Sequence, residues 1–222
     1  MKEKIKIDIV SDVVCPWCII GYKRLEKAIA EMGIQDNIEL DWQPFELNPA
    51  MPKEGQNVIE HITEKYGSSL EDQKISKQQM IENGAELGFT FDYFDAMRMV
   101  NTRDAHILLD FAKEQRKQTE LNLKYVAAFF SNRKDISDRT ILLEELEKIG
   151  LDKNEAILRL ESENVRNKVI EEENTWKNIG VNSVPTFLFN RKSALSGAQP
   201  VNVFKQVLTQ VLNEQQQQQQ QQ

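Results

Sequence analysis

Apolar and polar residues alternate at the start of the chain. Ile5, Ile7 and Ile9 fall on one side against Lys6 and Asp8, which predicts a half-buried strand over residues 5–10. Ser11-Asp12-Val13-Val14 follows, and then Cys15-Pro16-Trp17-Cys18. Proline suits the first position of a helix, so Pro16 puts Cys15 at the N-cap. The helix carries its apolar stripe on Tyr22, Leu25, Ala28, Ile29 and Met32, and Gly33 stops it. A second alternation sets Ile38, Leu40 and Trp42 against Glu39, Asp41 and Gln43. Pro44-Phe45-Glu46-Leu47-Asn48-Pro49 ends it, because prolines cannot continue a sheet interior.

Between residues 58 and 178 the period changes from two to 3.6, and no strand pattern appears. Helical spacing runs over 75–87 before Gly88, over 105–112, over 121–130 and over 141–149 before Gly150. A long stretch from 155 onward then carries Val165, Val169, Ile170 and Trp176 before Gly180. Strand character returns at Thr186-Phe187-Leu188-Phe189. A turn at Asn190-Arg191-Lys192-Ser193 leads to Ala194-Leu195-Ser196 and Gly197. A last helix spaces Phe204, Val207, Leu208, Val211 and Leu212. This is an α/β order in which a βαβ half and a ββα half build one sheet. Residues 1–49 and 179–214 form the sheet domain, and 50–178 form an all-helical insertion. Residues 215–222 are a low-complexity poly-Gln tail, which either extends the last helix by a turn or two or stays disordered.

The chain has 222 residues, room for one large domain or one domain with an insertion. Its net charge of −7, with no block of Lys or Arg, gives no electrostatic footprint for nucleic acid. No run of about eighteen apolar residues is present, so no membrane span is expected. Lys6 and Asp8 interrupt the apolar core that a secretory leader needs, so the expected compartment is the cytoplasm.

Only two cysteines are present, too few for a structural disulfide framework. Two cysteines dropped at random fall three apart in roughly one draw in a hundred, so their spacing carries information. Three apart in a first helical turn, the sulfurs are close enough to join. The helix N-terminus favours negative charge on the first sulfur. Cys15, at the N-cap, is expected to be exposed and to act as nucleophile. Cys18, one turn in, is expected to be shielded and to resolve the mixed disulfide. The competing readings are a zinc half-site, a static disulfide and two inert buried thiols. Zinc needs two more ligands, and His61 and His106 do not lie in a ligand-spaced pair. A static disulfide is disfavoured in the cytoplasm. No metal is therefore expected, and no cofactor beyond the redox-active disulfide itself.

Four segments in order along the chain carry a resemblance: Ser11-Asp12-Val13-Val14-Cys15-Pro16-Trp17-Cys18, Pro44-Phe45-Glu46-Leu47-Asn48-Pro49, Asn101-Thr102-Arg103-Asp104-Ala105-His106, and Ser196-Gly197-Ala198-Gln199-Pro200. With Ser183-Val184-Pro185-Thr186-Phe187, they make the chain resemble the DsbA-like branch of the thioredoxin superfamily, and more narrowly the FrnE group of cytoplasmic DsbA-like proteins. The resemblance implies a thioredoxin fold, a helical cap over the cysteine pair, and thiol–disulfide oxidoreductase or isomerase activity. It also implies a cis bond at Val184–Pro185. Without it, an ordinary trans proline at a strand start is the better reading. A cis bond would set the Val184 backbone beside the sulfurs, free to pair with an extended substrate.

The partners implied are protein or small-molecule thiols and disulfides, with glutathione open as reductant or ligand. A related group, the 2-hydroxychromene-2-carboxylate isomerases and kappa-class glutathione transferases, shares the architecture but typically carries Ser where this chain has Cys15. A glutathione-dependent isomerase or transferase is therefore the alternative function. A binding protein with a relict motif is the third. Trp17 is expected to tune the redox pair and pack near substrate. His106 and, by its segment, Asn101 are candidate substrate-site residues. A histidine near a thiolate favours its ionised form or shuttles a proton. His61, between Glu60 and Glu64, reads as a solvated helix residue, and Trp42 and Trp176 read as core.

Overall fold

The computed structural model describes residues 4–220. Met1 to Glu3 and the last two glutamines of the tail lie outside the described residues. β1 (Ile5–Ser11) leads into α1 (Pro16–Met32), a 3-10 turn over Gln35–Asn37, and β2 (Ile38–Pro44). The middle of the chain holds a short strand β3 (Gln56–Asn57), α2 (Val58–Tyr66), α3 (Leu70–Glu86) and a second short strand β4 (Arg98–Met99). It continues with α4 (Arg103–Glu114), α5 (Gln118–Phe130), α6 (Arg139–Lys148), α7 (Lys153–Glu161) and α8 (Glu163–Asn178). β5 (Thr186–Phe189), β6 (Ser193–Ser196) and α9 (Val201–Gln220) complete it.

One four-stranded sheet has the order β2-β1-β5-β6. β1 runs parallel to β2, from Ile5 opposite Ile38 to Ser11 opposite Pro44. It runs antiparallel to β5, with Ile7 opposite Phe189 and Val10 opposite Thr186. The two ends of the chain therefore share one sheet, as their element order predicts. α1 closes on Gly33, whose φ of 66° is the left-handed turn that glycine adopts without cost. Phe187 of β5 meets Phe204 of α9 edge-on at 4.9 Å, which fixes α9 to the sheet.

Three expectations need correction. β1 is not half-buried, and the second half of β2 is buried on both sides. Asp8, Asp41 and Gln43 are buried as well, because α4, α5 and α8 pack against β2. The buried polar side chains pair with one another or with nearby cations. Gln43 Nε2 donates to Asp8 Oδ1 at 2.7 Å, and Arg191 Nε donates to Asp8 Oδ2 at 3.0 Å. Secondly, the stretch from 155 onward is two helices. Ser162 ends α7 and caps α8 by accepting from Val165 N, the role for which a serine side chain is suited. Thirdly, the middle block is not free of strands, since β3 and β4 pair antiparallel with Gln56 opposite Met99. Two residues are too few for an alternation to register. The tail continues α9 as far as Gln220. Among the described residues, no helix is long and apolar enough to cross a membrane.

Candidate active site

The dithiol sits where β1 turns into α1. Cys15 occupies the N-cap with φ −94° and ψ 114°, and Pro16 opens the helix. Cys15 N donates to Asp12 O at 3.1 Å, and Cys18 N donates to Cys15 O at 3.2 Å. The first turn of α1 carries no acidic side chain, so its positive dipole end is left to the sulfur. Both cysteines are free thiols. The Cys15 thiol points to the Val184 carbonyl at 3.9 Å, and the Val184–Pro185 bond is cis. α1 can lie this close to the start of β5 because residue 21 is glycine. A Cβ there would stand 3.1 Å from both Phe187 Cζ and Pro185 Cγ.

Cys15 is not exposed as expected, since only 6% of its surface is accessible. It opens instead into a cleft of about 420 Å³ roofed by α2 and α3. Pro16, Trp17 and Val184 flank Cys15 there, and Met80, Tyr93 and Phe130 line the same cleft. Trp17 is partly exposed. Tyr93 Oη donates to Met80 Sδ at 3.1 Å. Burial, and then the charge of Cys15, push the Tyr93 and Tyr66 hydroxyls up. Cys18 is buried and does not line the cleft. Burial, and then its contact with the Cys15 sulfur, push the Cys18 thiol well up. Cys15 is thus the sulfur a ligand in the cleft can reach.

His61 also differs from its expectation. It is 8% exposed and lines the cleft, with Nδ1 at 2.8 Å from Gln56 Oε1. Burial, then Lys65, push its pKa down. Trp42 and Trp176 are buried, as predicted.

Beneath the dithiol lies a buried layer of charge. Asp12 Oδ2 accepts from Leu47 N at 2.9 Å, and its Oδ1 lies 3.1 Å from His106 Nε2. Glu46 Oε2 accepts from Arg103 Nε at 2.9 Å and Nη2 at 2.6 Å. Glu173 accepts from Glu46 N at 3.0 Å and from Lys177 at 2.6 Å. Burial alone would lower the pKa of His106, but Asp12, Glu46 and Glu173 together outweigh it and raise it. Burial pushes the Glu46 carboxyl up to about 7 against the pull of Arg103. His106 therefore supports the loop that carries Cys15, and it is not among the residues lining the cleft. Nor is Asn101, which sits at the start of α4 and accepts from Arg103 N at 3.0 Å. Reading the sequence did not single out Asp12, Glu46 or Arg103 individually. The signal was available, since three of the four ordered segments supply this layer. Among the described residues, no group of three or more His, Cys, Asp or Glu side chains is set to hold a metal ion.

A dithiol held at a helix N-terminus on a βαβ–ββα sheet defines the thioredoxin class. Within that class, the family model described as the DSBA-like thioredoxin domain matches residues 6–209, and the chain belongs to this family of disulfide oxidoreductases. It is 27% identical over 208 residues to the uncharacterized protein YwbO of Bacillus subtilis (strain 168), covering 92% of this chain and 96% of that one. The crystal structure of probable DsbA oxidoreductase SCO1869 from Streptomyces coelicolor is similar with a TM-score of 0.88. Its identity is 32%, over 95% of this chain and 91% of that one. The cytosolic disulfide reductase DsbM from Pseudomonas aeruginosa, solved with GSH, has a TM-score of 0.60. At 19% identity, over 94% of this chain and 99% of that one, it is a likeness of fold alone.

Proposed function

We propose that this chain is a thiol–disulfide oxidoreductase and disulfide isomerase of the FrnE type that works through the Cys15–Cys18 pair. The observation that carries the reading is the asymmetry of the two sulfurs, with Cys15 lining the cleft at the α1 N-terminus and Cys18 closed off behind it. In the reaction, Cys15 as thiolate attacks one sulfur of a substrate disulfide. The substrate S–S bond breaks, its electron pair leaves on the other substrate sulfur, and that sulfur takes a proton. Cys18 then attacks Cys15, which closes the enzyme disulfide and releases the second substrate thiol. The substrates are protein or small-molecule disulfides. Glutathione is the candidate reductant of the oxidised pair, in line with the GSH in the DsbM structure. The reading takes the cytoplasm as its compartment, the one named for DsbM.

Trapping tests it. Cys18→Ser is expected to accumulate mixed disulfides on non-reducing gels, because Cys15 attacks and nothing resolves the product. Cys15→Ser is expected to accumulate few. Equal trapping by both variants would remove the fixed nucleophile.

A further inference from the structure

His61 has no part in that exchange as written, yet its ring is fixed and faces the same cleft. The tautomer follows from a chain of hydrogen bonds. Gln56 Nε2 donates to Glu64 Oε2 at 2.7 Å, and a carboxylate only accepts. The amide oxygen of Gln56 is therefore the atom 2.8 Å from His61 Nδ1. That oxygen also only accepts, so Nδ1 carries the proton. In the neutral ring the lone pair is left on Nε2. Nε2 has no hydrogen-bond partner among the described residues, and the side chain lines the cleft with Cys15 and Trp17.

We propose that His61 is the general base for thiols entering this cleft, its Nε2 taking the thiol proton as the thiol sulfur attacks Cys15. The proposal rests on the dithiol reading above. A disulfide substrate first leaves the chain with a Cys15–Cys18 bond. An incoming R–SH gives its proton to His61 Nε2, and its sulfur lone pair forms the new bond to Cys15. The Cys15–Cys18 bond breaks and its electron pair leaves on Cys18. R–SH is oxidised to the mixed disulfide, and Cys18 is reduced. The proton leaves His61 to water while Cys18 takes one up, so the exchange is proton-neutral. In the reverse direction, protonated His61 returns the proton to the departing thiolate.

The surroundings suit a base. Glu64 and Lys65 follow His61 on α2, and Lys77 of α3, Tyr93 and Cys15 line the cleft with it. Burial and Lys65 prevail over Glu64, so the ring stays neutral at neutral pH. The benefit is selective. An alkyl thiol is almost wholly protonated at neutral pH and needs a base, whereas an aromatic thiol that is already ionised does not.

The test uses the full chain, oxidised, with its reduction followed by tryptophan fluorescence. The thiols are 2-mercaptoethanol and the acidic 4-nitrothiophenol. At pH 7, His61→Gln is expected to slow 2-mercaptoethanol by on the order of 10²-fold while changing 4-nitrothiophenol by less than about threefold. The variant's rate with 2-mercaptoethanol should then rise with pH in proportion to the thiolate fraction alone. Gln56→Met frees Nδ1 without touching the cleft wall. It should slow the alkyl thiol by about tenfold with the same selectivity, and it stands in if His61→Gln does not fold. Equal slowing with both thiols, or no slowing with either, overturns the base. A wild-type chain that neither thiol reduces would overturn the dithiol reading instead.

Discussion

Glu46 is a buried acid whose charge depends on ordinary pH. It is 2% exposed. Its Oε2 is held by Arg103, and its Oε1 finds no partner among the described residues. Burial raises its pKa from 4.5 to about 7. A raised acid means that the native chain binds the proton more tightly than the unfolded chain between those two values. The stability it contributes is full below 4.5 and is lost as pH rises through about 7. A glutamine does not titrate. Wild type and Glu46→Gln are therefore expected to diverge when urea denaturation is moved from about pH 5 to pH 8, with the wild type losing on the order of 2 kcal/mol more. His106, whose pKa Glu46 helps to raise, loses its contribution in the same direction, and because Glu46→Gln weakens that raise it adds to the divergence rather than cancelling. A difference that stays constant across that range would mean that Glu46 does not titrate there.

The cleft depends on how α3 hands over to the segment that follows it. Phe89 N returns to Gly84 O at 2.8 Å, and a Cβ on Gly84 would stand 2.6 Å from Phe89 O and 2.7 Å from Phe91 Cδ2. Phe91 stacks on Tyr93 at 5.8 Å and meets Phe130 edge-on at 5.1 Å, so the glycine sets the wall facing Cys15. Alanine would add about 1 kcal/mol of helix propensity. A collision with backbone outweighs that, and Gly84→Ala is expected to lower stability by about 1–3 kcal/mol net in denaturant titration. A variant as stable as wild type would contradict so close an approach. The elements legible in the sequence are those coded within a few residues. β1 announces itself by its alternation, β5 by its apolar run, and α1 by Pro16, its stripe and Gly33. The cleft is coded across distance. β3 and β4 meet through residues some forty positions apart, and that pairing carries α2 and His61 over Cys15. This is why Cys15 reads as exposed and His61 as solvated until the roof is in place. The charged layer likewise needs four distant segments to meet, and no local period encodes that.

At the scale of the whole molecule, the larger of two buried apolar clusters joins the sheet to the helices between its halves, while Val10, Phe45, Trp176, Val181 and Leu188 form the smaller one. The larger cluster runs from Ile7, Ile9 and Phe187 to Leu108 and Tyr125. The poly-Gln end stands outside it. The buried anchors of α9 are Phe204, Leu208 and Val211, all of which precede the glutamines. Removing residues 215–222 is therefore expected to leave the denaturation midpoint unchanged while reducing the far-ultraviolet helix signal. A fall in the midpoint would show that the tail packs on the body.

The carbonyl facing Cys15 belongs to a residue 169 positions further along the chain. A ribosome adds residues at about 5–20 per second, so the two sulfurs emerge roughly 10 to 30 s before the strand that encloses them can exist. Throughout that interval each nascent chain carries an open Cys-Pro-Trp-Cys peptide, reactive toward any oxidant or disulfide it meets. The shelter of the nucleophile is complete only once Val184 and the strand after it have been made, and every newly made molecule passes through an unguarded stage before it has a pocket.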